Sequence, residues 1–374
     1  MRFFPDVLLP RLVYLPYFCS RVLLTFLHWV SFWRFRCWHG RPARLCLEAG
    51  VRGWDLIEYK EVIASAQEYL GGEHIGKVVI DRSSSYVPQV HAALRQFAPT
   101  HYVYDSRTGS DHWLIGLWQA FQIAVLFQWY GVVPICVLTD LPVRKWRAQT
   151  AVVSARRGVV VSLMLPRDVQ SIFPHSRLIG PQLMAFSRAT LAKLRVIDDE
   201  LQGRFVQPSL VFTGSLYEPR TSILRQVKEG LQVHGIELQL RGRELGSQRF
   251  TDDDYWRGLA SATMVITTAN LYAQPGLDWP WVSHLIYRYL EVPATGSVLV
   301  AQPVPGLERY LQPDVHYIAY TSPAEAVEKI AYYWTRPAEL KQIALAGRER
   351  MRSLVESGVY WLAVDVALKQ DSMI

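Results

Sequence analysis

A short run of residues in the second half of the chain combines a glycine turn with a positive charge. The run is Phe212–Leu216, and Arg220 follows Ser215 by five residues. Gly214 allows a ligand to approach the backbone closely, and the turn leaves N–H groups that can donate hydrogen bonds. With the arginine as a cation, this combination could bind a diphosphate. Because glycine is common at strand ends, a plain turn is the alternative interpretation.

A second pair of charged residues lies farther along the chain. Arg288 and Glu291 are three positions apart, so a helix would place both side chains on one face. We predict that this helix begins near Ser283 and that its N-terminus points towards a cleft. The alternative interpretation of the pair is an ion pair on the protein surface.

Several common kinds of site are missing from the sequence. The segments 48–53 and 213–215 do not supply the GxGxxG fingerprint of dinucleotide-binding folds, and a Walker A motif is also absent. The four cysteines form neither a CxxC motif nor a cluster with histidine, which argues against a zinc site and a disulfide framework. We therefore expect no metal, no bound cofactor and a reducing, cytoplasmic setting.

The chain from residue 44 onward alternates short apolar runs with longer amphipathic stretches, a pattern typical of βαβ units around parallel sheets. A polar stretch at 201–208 separates two such series. The predicted strands are Arg44–Glu48, Lys77–Asp81, His101–Tyr104, Pro134–Thr139, Val159–Leu163, Leu210–Thr213, Ile236–Leu240, Met264–Thr267, Ser297–Ala301 and Tyr317–Tyr320. Between the strands, helices are predicted. One of them, His112–Tyr130, is apolar on nearly all faces and is predicted to be buried.

The segment around the charged pair continues into a recognisable signature. After Arg288 and Glu291 come Ala294, Gly296 and a hydrophobic run. This order resembles the R-x-x-E-x-x-A-x-G signature in the C-terminal domain of group 1 GT-B glycosyltransferases, especially the CgeB-like branch. The resemblance continues through Pro305–Glu308, Tyr320–Glu325 and Ala346–Arg350, and it covers residues 210–354.

The resemblance implies an α/β fold of the GT-B type, with two Rossmann-like domains facing each other across a cleft. In such proteins the second domain binds a nucleotide-sugar and the first binds the acceptor. From the residues alone we also predict an N-terminal amphipathic helical segment before these two domains. The predicted parts are a membrane-interface segment 1–43, an acceptor domain 44–205, a nucleotide-sugar-binding domain 206–354, and a C-terminal helix 355–374 that packs back on the N-terminal domain.

The resemblance also implies roles for individual residues. The glutamate that matches Glu291 accepts hydrogen bonds from the donor ribose, and the arginine that matches Arg288 serves the diphosphate together with the glycine loop. Many retaining members carry a second glutamate eight residues earlier, where this chain has Ser283, so retaining chemistry of that subtype is in doubt. The full predicted donor site is Gly214, Ser215, Arg220, Arg241, Arg288, Glu291 and Gly296.

A transfer with inversion needs a general base that takes the proton from the acceptor hydroxyl. The candidates are three carboxylates at or just past strand ends, namely Glu48, Asp105 and Asp140. Each could instead cap a helix or anchor a turn, which is the commoner role of such residues. The predicted acceptor contacts are Arg52, Arg107, His112, Arg144 and His175.

The net charge of +7 is concentrated at one end of the chain. Residues 1–44 carry seven arginines and one aspartate, so the remaining 33 basic and 32 acidic residues nearly cancel. This balance argues against nucleic acid as the partner. The twelve uncharged residues of Val22–Trp33, flanked by Arg21 and Arg34, favour a helix lying in the headgroups of an anionic membrane. A helix packed on the body and a span over Leu12–Trp33 are the alternatives.

Together these patterns predict a glycosyltransferase. It would move a sugar from a nucleotide-sugar to a glycan or lipid-linked acceptor at the cytoplasmic membrane face, in cell-surface polysaccharide or glycolipid synthesis. Its membrane contact would be made by residues 1–40. The alternative is a non-catalytic protein that binds nucleotides or sugars and keeps the same fold.

Overall fold

The computed structural model describes residues 45–49, 57–81, 84–105, 109–110, 112–138, 144–155, 158–171, 173–174, 176–216, 218–242, 251–269 and 283–369. For residues 48, 49 and 144–147 the backbone alone is described. The predicted N-terminal segment lies outside the described residues, and so do residues 370–374 of the predicted C-terminal part.

The chain folds into two compact units. The first contains the described residues up to Ser162, Pro166–Gly180 and the chain from Ala363 onward; the second contains Leu163–Leu165 and Pro181–Leu362. The sequence analysis places the domain boundary later, between residues 205 and 206. In the structure, Phe205 is buried in the hydrophobic core of the second unit, so the stretch that ends there packs with that unit.

The first unit is built on a parallel sheet whose strand order is β2-β1-β3-β4-β5-β6. Its strands are β1 (Leu45–Ala49), β2 (Ile75–Val79), β3 (His101–Tyr104), β4 (Val133–Leu138), β5 (Val159–Ser162) and β6 (Arg177–Ile179). Its helices are α1 (Ile57–Leu70), α2 (Tyr86–Phe97), α3 (Trp113–Tyr130), α4 (Arg144–Ser154) and α5 (Pro166–Val169). The central strands β3 to β5 are buried almost throughout, as expected for a parallel sheet covered on both faces.

Helix α3 corrects the prediction that this stretch is buried all round. Its inner face is a stripe of mostly small residues, Gly116, Ala120, Ile123, Ala124 and Phe127. The opposite face keeps large apolar side chains in solvent. An apolar pattern without periodicity does not tell which face packs. Here Gly116 allows a close approach to Gln149 of α4, and the large apolar residues lie on the opposite face.

The second unit is built on another parallel sheet, with the order β11-β10-β9-β7-β8. Its strands are β7 (Leu210–Gly214), β8 (Leu238–Gly242), β9 (Met264–Thr267), β10 (Val298–Ala301) and β11 (Ile318–Ala319). Its helices are α6 (Arg188–Glu200), α7 (Arg220–Gln232), α8 (Asp252–Ala260), α9 (Arg288–Ala294), α10 (Pro323–Trp334), α11 (Pro337–Glu356) and α12 (Val359–Lys369). The unit ends at Leu362, within α12, and the rest of that helix belongs to the first unit.

Helices α7, α10 and α11 bury their apolar sides in the core of the second unit. In α7 the buried residues Leu224, Val227 and Leu231 recur at helical spacing and join the strands in one hydrophobic cluster. This packing fixes the start of α7 beside the end of β7. The described residues between them, 215–216 and 218–219, therefore lie at the carboxyl edge of the sheet, where parallel α/β sheets carry their ligand sites.

Candidate functional site

Helix α9 carries the predicted charged pair, but it begins later than predicted. It starts at Arg288 and not near Ser283. The residues before it are engaged in extended pairing, because His284 forms an antiparallel bridge with Met164 and the Leu285 N–H donates to the Leu163 carbonyl over 2.9 Å. Ser283 therefore lies outside the helix. It is buried, and its hydroxyl has no hydrogen-bond partner within the described part of the chain.

Arg288 and Glu291 form a buried ion pair, so the alternative interpretation as a surface pair is wrong. The Glu291 side chain is 2% exposed and that of Arg288 is 17% exposed. Arg288 Nη1 donates to Glu291 Oε2 and to the hydroxyl of Tyr255. That hydroxyl in turn donates to Glu291 Oε1 over 2.5 Å. The three side chains close a ring of hydrogen bonds between α8 and α9.

The environment fixes the charge state of two members of this ring. Burial and the neighbouring Glu291 raise the pKa of Tyr255 well above that of a free tyrosine, although the nearby Arg288 opposes the shift. Burial lowers the pKa of Arg288, but Glu291 and Tyr255 together outweigh it and leave the pKa higher than usual. At neutral pH the ring therefore contains a neutral phenol, which donates, and a permanently charged guanidinium.

Arg288 also connects this ring to the glycine turn of β7. Its Nη2 donates to the carbonyl of Thr213 over 3.2 Å. The next residue, Gly214, has φ +142°, a backbone conformation that residues other than glycine rarely adopt. The turn that sequence analysis singled out and the charged pair therefore lie at one place, the carboxyl end of β7.

A second arginine binds the same turn from the other side. Arg220 is the first residue of α7, and its Nη1 donates to the Ser215 carbonyl over 2.9 Å. Its Nε donates to the hydroxyl of Thr268, directly after β9, over 3.1 Å. The guanidinium also lies over the ring of Phe212, 5.6 Å from its centroid. Two arginines thus donate to carbonyls two residues apart, and they place positive charge at the ends of two neighbouring strands.

Two further predicted donor residues, Arg241 and Gly296, bind other partners in the second unit. Arg241 donates to the carbonyl of Gly258 over 3.0 Å, and so it is bound to the end of α8. Gly296 has φ +72° in the turn after α9, and its carbonyl accepts a hydrogen bond from Arg204. Arg241 nevertheless lies in β8 directly beside Thr213 of β7, whereas Gly296 lies in the turn between α9 and β10.

Gly296 is part of a buried charge cluster that supports the site from behind. Arg204 pairs with Asp198, and Asp198 also pairs with Arg348 of α11. Burial lowers the pKa of Arg204 to about 10. A side chain at Gly296 would meet Asp198 and Arg204, with its Cβ 2.9 Å from Arg204 Nη2. This cluster fixes the turn between α9 and β10, and it thereby holds the position of α9.

The predicted residues of the first unit are only partly described. Glu48 lies in β1, opposite Val78, with its backbone alone described. Asp105 directly follows β3 and is buried. His112 precedes α3 and is exposed, and Arg144 is the first residue of α4. The remaining candidates lie outside the described residues, and they are Asp140, Arg52, Arg107 and His175.

Sequence reasoning missed Tyr255 and Thr268. Tyr255 stands in a short helix whose first turn is acidic, and no motif marks its hydroxyl as a partner of residues 33 and 36 positions away. Thr268 follows a predicted strand, and its place at the strand end was the available signal. Across the described ranges, no group of three His, Cys, Asp or Glu residues is arranged to hold a metal ion. In the same ranges no helix is both long and apolar enough to cross a membrane.

Comparison with known proteins finds a family match within the second unit. Residues 220–355 match the family model described as "Glycosyl transferase-like". No curated protein matches the chain. The matched residues include Arg220, Tyr255, Arg288 and Glu291, so most of the side chains that build the site belong to this glycosyl transferase-like domain.

Solved structures match nearly the whole chain. The structure of Anabaena Alr3699/HepE in complex with UDP and glucose is 12% identical, with a TM-score of 0.53 over 87% of this chain and 99% of that one. Sucrose-phosphate synthase from Thermosynechococcus elongatus is also 12% identical, with a TM-score of 0.52 over 89% and 98%. At this identity the likeness concerns the fold. It confirms the predicted GT-B fold, and the family match shows that residues 220–355 are similar to glycosyl transferases.

We predict that removing Arg288 from its buried ion pair destabilises the protein far more than removing an arginine from an exposed ion pair with the same three-residue separation. Arg288→Ala leaves the Glu291 carboxylate buried without its countercharge, which costs about 3–5 kcal/mol. The control is Arg352→Ala, because Arg352 pairs with Glu349 at the same three-residue separation in solvent, where losing the pair has little effect on stability. The measurement is the free energy of unfolding in urea, and equal losses in both variants would contradict the prediction.

Proposed function

We propose that this chain transfers a sugar from a nucleotide-sugar, and that the diphosphate of the donor binds at the Gly214–Ser215 turn. The observation that carries the proposal is the convergence of Arg220 and Arg288 on carbonyls of one glycine turn at the carboxyl end of β7. The N–H groups of an arginine guanidinium can donate two hydrogen bonds to the oxygens of a phosphate, and the guanidinium keeps its charge at every physiological pH.

The proposed chemistry requires stabilisation of the leaving group. When the bond from sugar to phosphate breaks, negative charge develops on the nucleoside diphosphate. Fixed positive groups and backbone N–H groups lower the energy of that state most when they are already in position. Arg288 meets this condition because Glu291, Tyr255 and Thr213 hold it from three directions.

Glu291 is proposed to bind the donor ribose. Its carboxylate oxygens accept hydrogen bonds from Tyr255 and from Arg288. The support for the proposed role is the position of Glu291, which matches the ribose-binding glutamate of the signature that the sequence resembles. The same residue would then fix the arginine and orient the nucleoside. Anabaena HepE, which shares the fold, has been solved with UDP-glucose bound, which supports a nucleotide-sugar as the donor class.

The acceptor is proposed to be a glycan or a lipid-linked precursor at the cytoplasmic face of a membrane. The support comes from the sequence of residues 1–40, where arginines flank an apolar, aromatic-rich stretch. A basic aromatic segment of this kind binds anionic headgroups. Cell-surface polysaccharide or glycolipid synthesis is the setting that fits such an acceptor.

Arg220→Ala is expected to weaken binding of a nucleoside diphosphate about tenfold to a hundredfold, because it removes a charge-assisted hydrogen bond to phosphate. The readout is the rise in melting temperature with a panel of nucleoside diphosphates and nucleotide-sugars, since ligands that bind the native state stabilise it by mass action. The control variant is Arg225→Ala, an exposed arginine on the same helix. The matched control ligand is the nucleoside without phosphate. If both variants respond alike to every diphosphate, the proposed site is wrong.

Measuring the turnover of carboxylate variants tests which of the three candidates in the first unit is the general base. Among Glu48→Gln, Asp105→Asn and Asp140→Asn, the variant that removes the base should lower kcat by about 10²- to 10⁴-fold. Glu291→Ala should raise KM for the donor and also lower kcat, because it removes a group that holds Arg288 in position. Asp199→Asn, at an exposed position of α6, is the control. Wild-type turnover in all four site variants would refute these assignments. If the wild-type chain itself turned over no nucleotide-sugar with any acceptor, it would be a binding protein.

Substitution of the N-terminal arginines tests the proposed membrane contact. In the full chain, Arg21→Ser, Arg34→Ser and Arg36→Ser should each weaken binding to anionic vesicles about fivefold, because each juxtamembrane charge contributes about 1 kcal/mol. Sedimentation with vesicles that contain phosphatidylglycerol gives the affinity. Arg352→Ser removes an exposed charge of the second unit and should leave it unchanged. Undiminished binding of the triple variant would exclude this segment as the anchor.

A further inference from the structure

The carboxyl end of β10 carries a buried side-chain amide next to the donor site. Gln302 directly follows β10 and is 1% exposed. Its Oε1 accepts a hydrogen bond from the N–H of Ala269 over 2.9 Å. Because only the oxygen of an amide can accept a bond from an N–H group, this contact fixes which atom of the amide is which. The other atom is therefore the nitrogen Nε2, which carries two N–H groups.

Helix α9 fixes the backbone of the same residue. The hydroxyl of Tyr289, a fully buried residue, donates to the carbonyl of Gln302 over 2.6 Å. Burial raises the pKa of Tyr289 well above that of a free tyrosine, so the phenol keeps the proton that it donates. The preceding residue, Arg288, binds the end of β7. The first turn of α9 thus holds the ends of both β7 and β10.

The N–H groups of Nε2 have no partner within the described ranges. The hydrogen bonds of Gln302 in those ranges use its side-chain oxygen and its backbone carbonyl. An N–H group that is removed from water and left unpaired destabilises a fold, and buried polar groups in native proteins therefore have partners as a rule. The unused N–H groups point to a ligand that offers hydrogen-bond acceptors.

The strand order gives the position of Gln302 relative to the donor site. The strands concerned run β8-β7-β9-β10 across the sheet. Arg220 joins the ends of β7 and β9, because it binds both Ser215 and Thr268. Gln302 joins the ends of β9 and β10 through Ala269, the residue next to Thr268. Gln302 therefore lies one strand farther along the carboxyl edge than Arg220.

The proposed pose of the donor directs its sugar towards this strand end. Glu291, the proposed ribose ligand, is bound to Tyr255 of α8, the helix that follows β8. The diphosphate is proposed to lie at the Gly214–Ser215 turn, at the end of β7. A nucleotide-sugar has its diphosphate between the nucleoside and the sugar. With the nucleoside on the β8 side of the turn, the sugar extends across β9 towards β10.

We propose that Gln302 binds the transferred sugar, with Nε2 donating a hydrogen bond to the oxygen of a sugar hydroxyl group. This inference rests on the proposed function, because it takes the diphosphate at the glycine turn as its starting point. Ala269 and Tyr289 hold the residue in place before a ligand arrives. A sugar without a hydroxyl at this point leaves the buried N–H unpaired, so Gln302 selects among donor sugars.

The charge of the group favours a sugar hydroxyl over a phosphate oxygen. The amide of Gln302 is neutral, whereas the diphosphate has Arg220 and Arg288 as charged partners at the turn. Hydrogen bonds between neutral groups are weaker than those to phosphate, but they depend on where each hydroxyl stands on the ring. A neutral donor therefore suits recognition of the sugar and not the stabilisation of the leaving group.

The variant Gln302→Met tests the proposal, because methionine has nearly the same length and no N–H group in its side chain. The full chain is titrated in a calorimeter with UDP, GDP, ADP and dTDP. It is then titrated with the glucose, galactose and N-acetylglucosamine conjugates of the diphosphate that binds most tightly. For the tightest conjugate the variant should bind about fivefold more weakly, and its affinity for the bare diphosphate should stay within about twofold of wild type.

Donor analogues that lack one sugar hydroxyl at a time supply the second arm. Removal of the hydroxyl that Gln302 binds should weaken binding to the wild-type chain about fivefold and should not weaken binding to Gln302→Met further, because both changes remove the same bond.

The control is Gln182→Met. Gln182 is another buried glutamine of the second unit, and its amide bonds to the Leu183 carbonyl and to the hydroxyl of Tyr310. This variant should leave the ratio of the two affinities, for the conjugate and for the bare diphosphate, as it is in wild type.

Three results would overturn the inference while the proposed function stands. Equal losses for the diphosphate and its conjugate would show that Gln302 acts only by fixing the strand ends. Unchanged affinities for both would show that it does not contact the donor. Analogues that each weaken the variant as much as the wild type would show that Nε2 binds no sugar hydroxyl. If the wild-type chain binds none of the diphosphates, the site at the glycine turn is itself wrong, and this inference falls with it.

Discussion

The buried pair of Arg288 and Glu291 is the interaction on which the site depends. Two opposite charges removed from water are stable only when their remaining hydrogen-bonding capacity is also satisfied. Here the Tyr255 hydroxyl and the Thr213 carbonyl provide those bonds. As a result, α8, α9 and the end of β7 are tied through one guanidinium, and a change in any of them moves the arginine relative to the glycine turn.

The packing of the second unit also helps to hold Arg220 and Arg288 at the glycine turn. The apolar face of α7 anchors Arg220 over the turn, and the cluster of Asp198, Arg204 and Arg348 fixes the chain on the other side of α9. Both arginines of the turn are thereby positioned before a ligand arrives. Preorganised charge stabilises a developing anion without the cost of reorganisation, which is why a rigid second unit suits the departure of a diphosphate.

Most strands and the main charged residues of the site can be predicted from the sequence, but contacts between distant residues cannot. His101–Tyr104 and Met264–Thr267 were predicted to the residue because buried parallel strands are short apolar runs. The turn at Gly214 and the pair Arg288–Glu291 followed from local spacing. Tyr255 could not be found in this way, since its role depends on contacts across the fold. The predicted start of helix α9 was too early, because pairing of residues 284–285 with Leu163 and Met164 overrides the local helix preference. The exposed face of α3 could not be predicted, because the helix is apolar on nearly all sides and its sequence does not indicate which side packs.

The measurement that tests the central claim most directly is calorimetric titration of the intact chain with a nucleoside diphosphate and with its monophosphate. If two arginines are fixed at one glycine turn to receive a diphosphate, the second phosphate should tighten binding at least about tenfold, the effect of one charge-assisted hydrogen bond. Equal affinities for the two nucleotides would show that the turn does not hold the diphosphate, and they would contradict this account of the site.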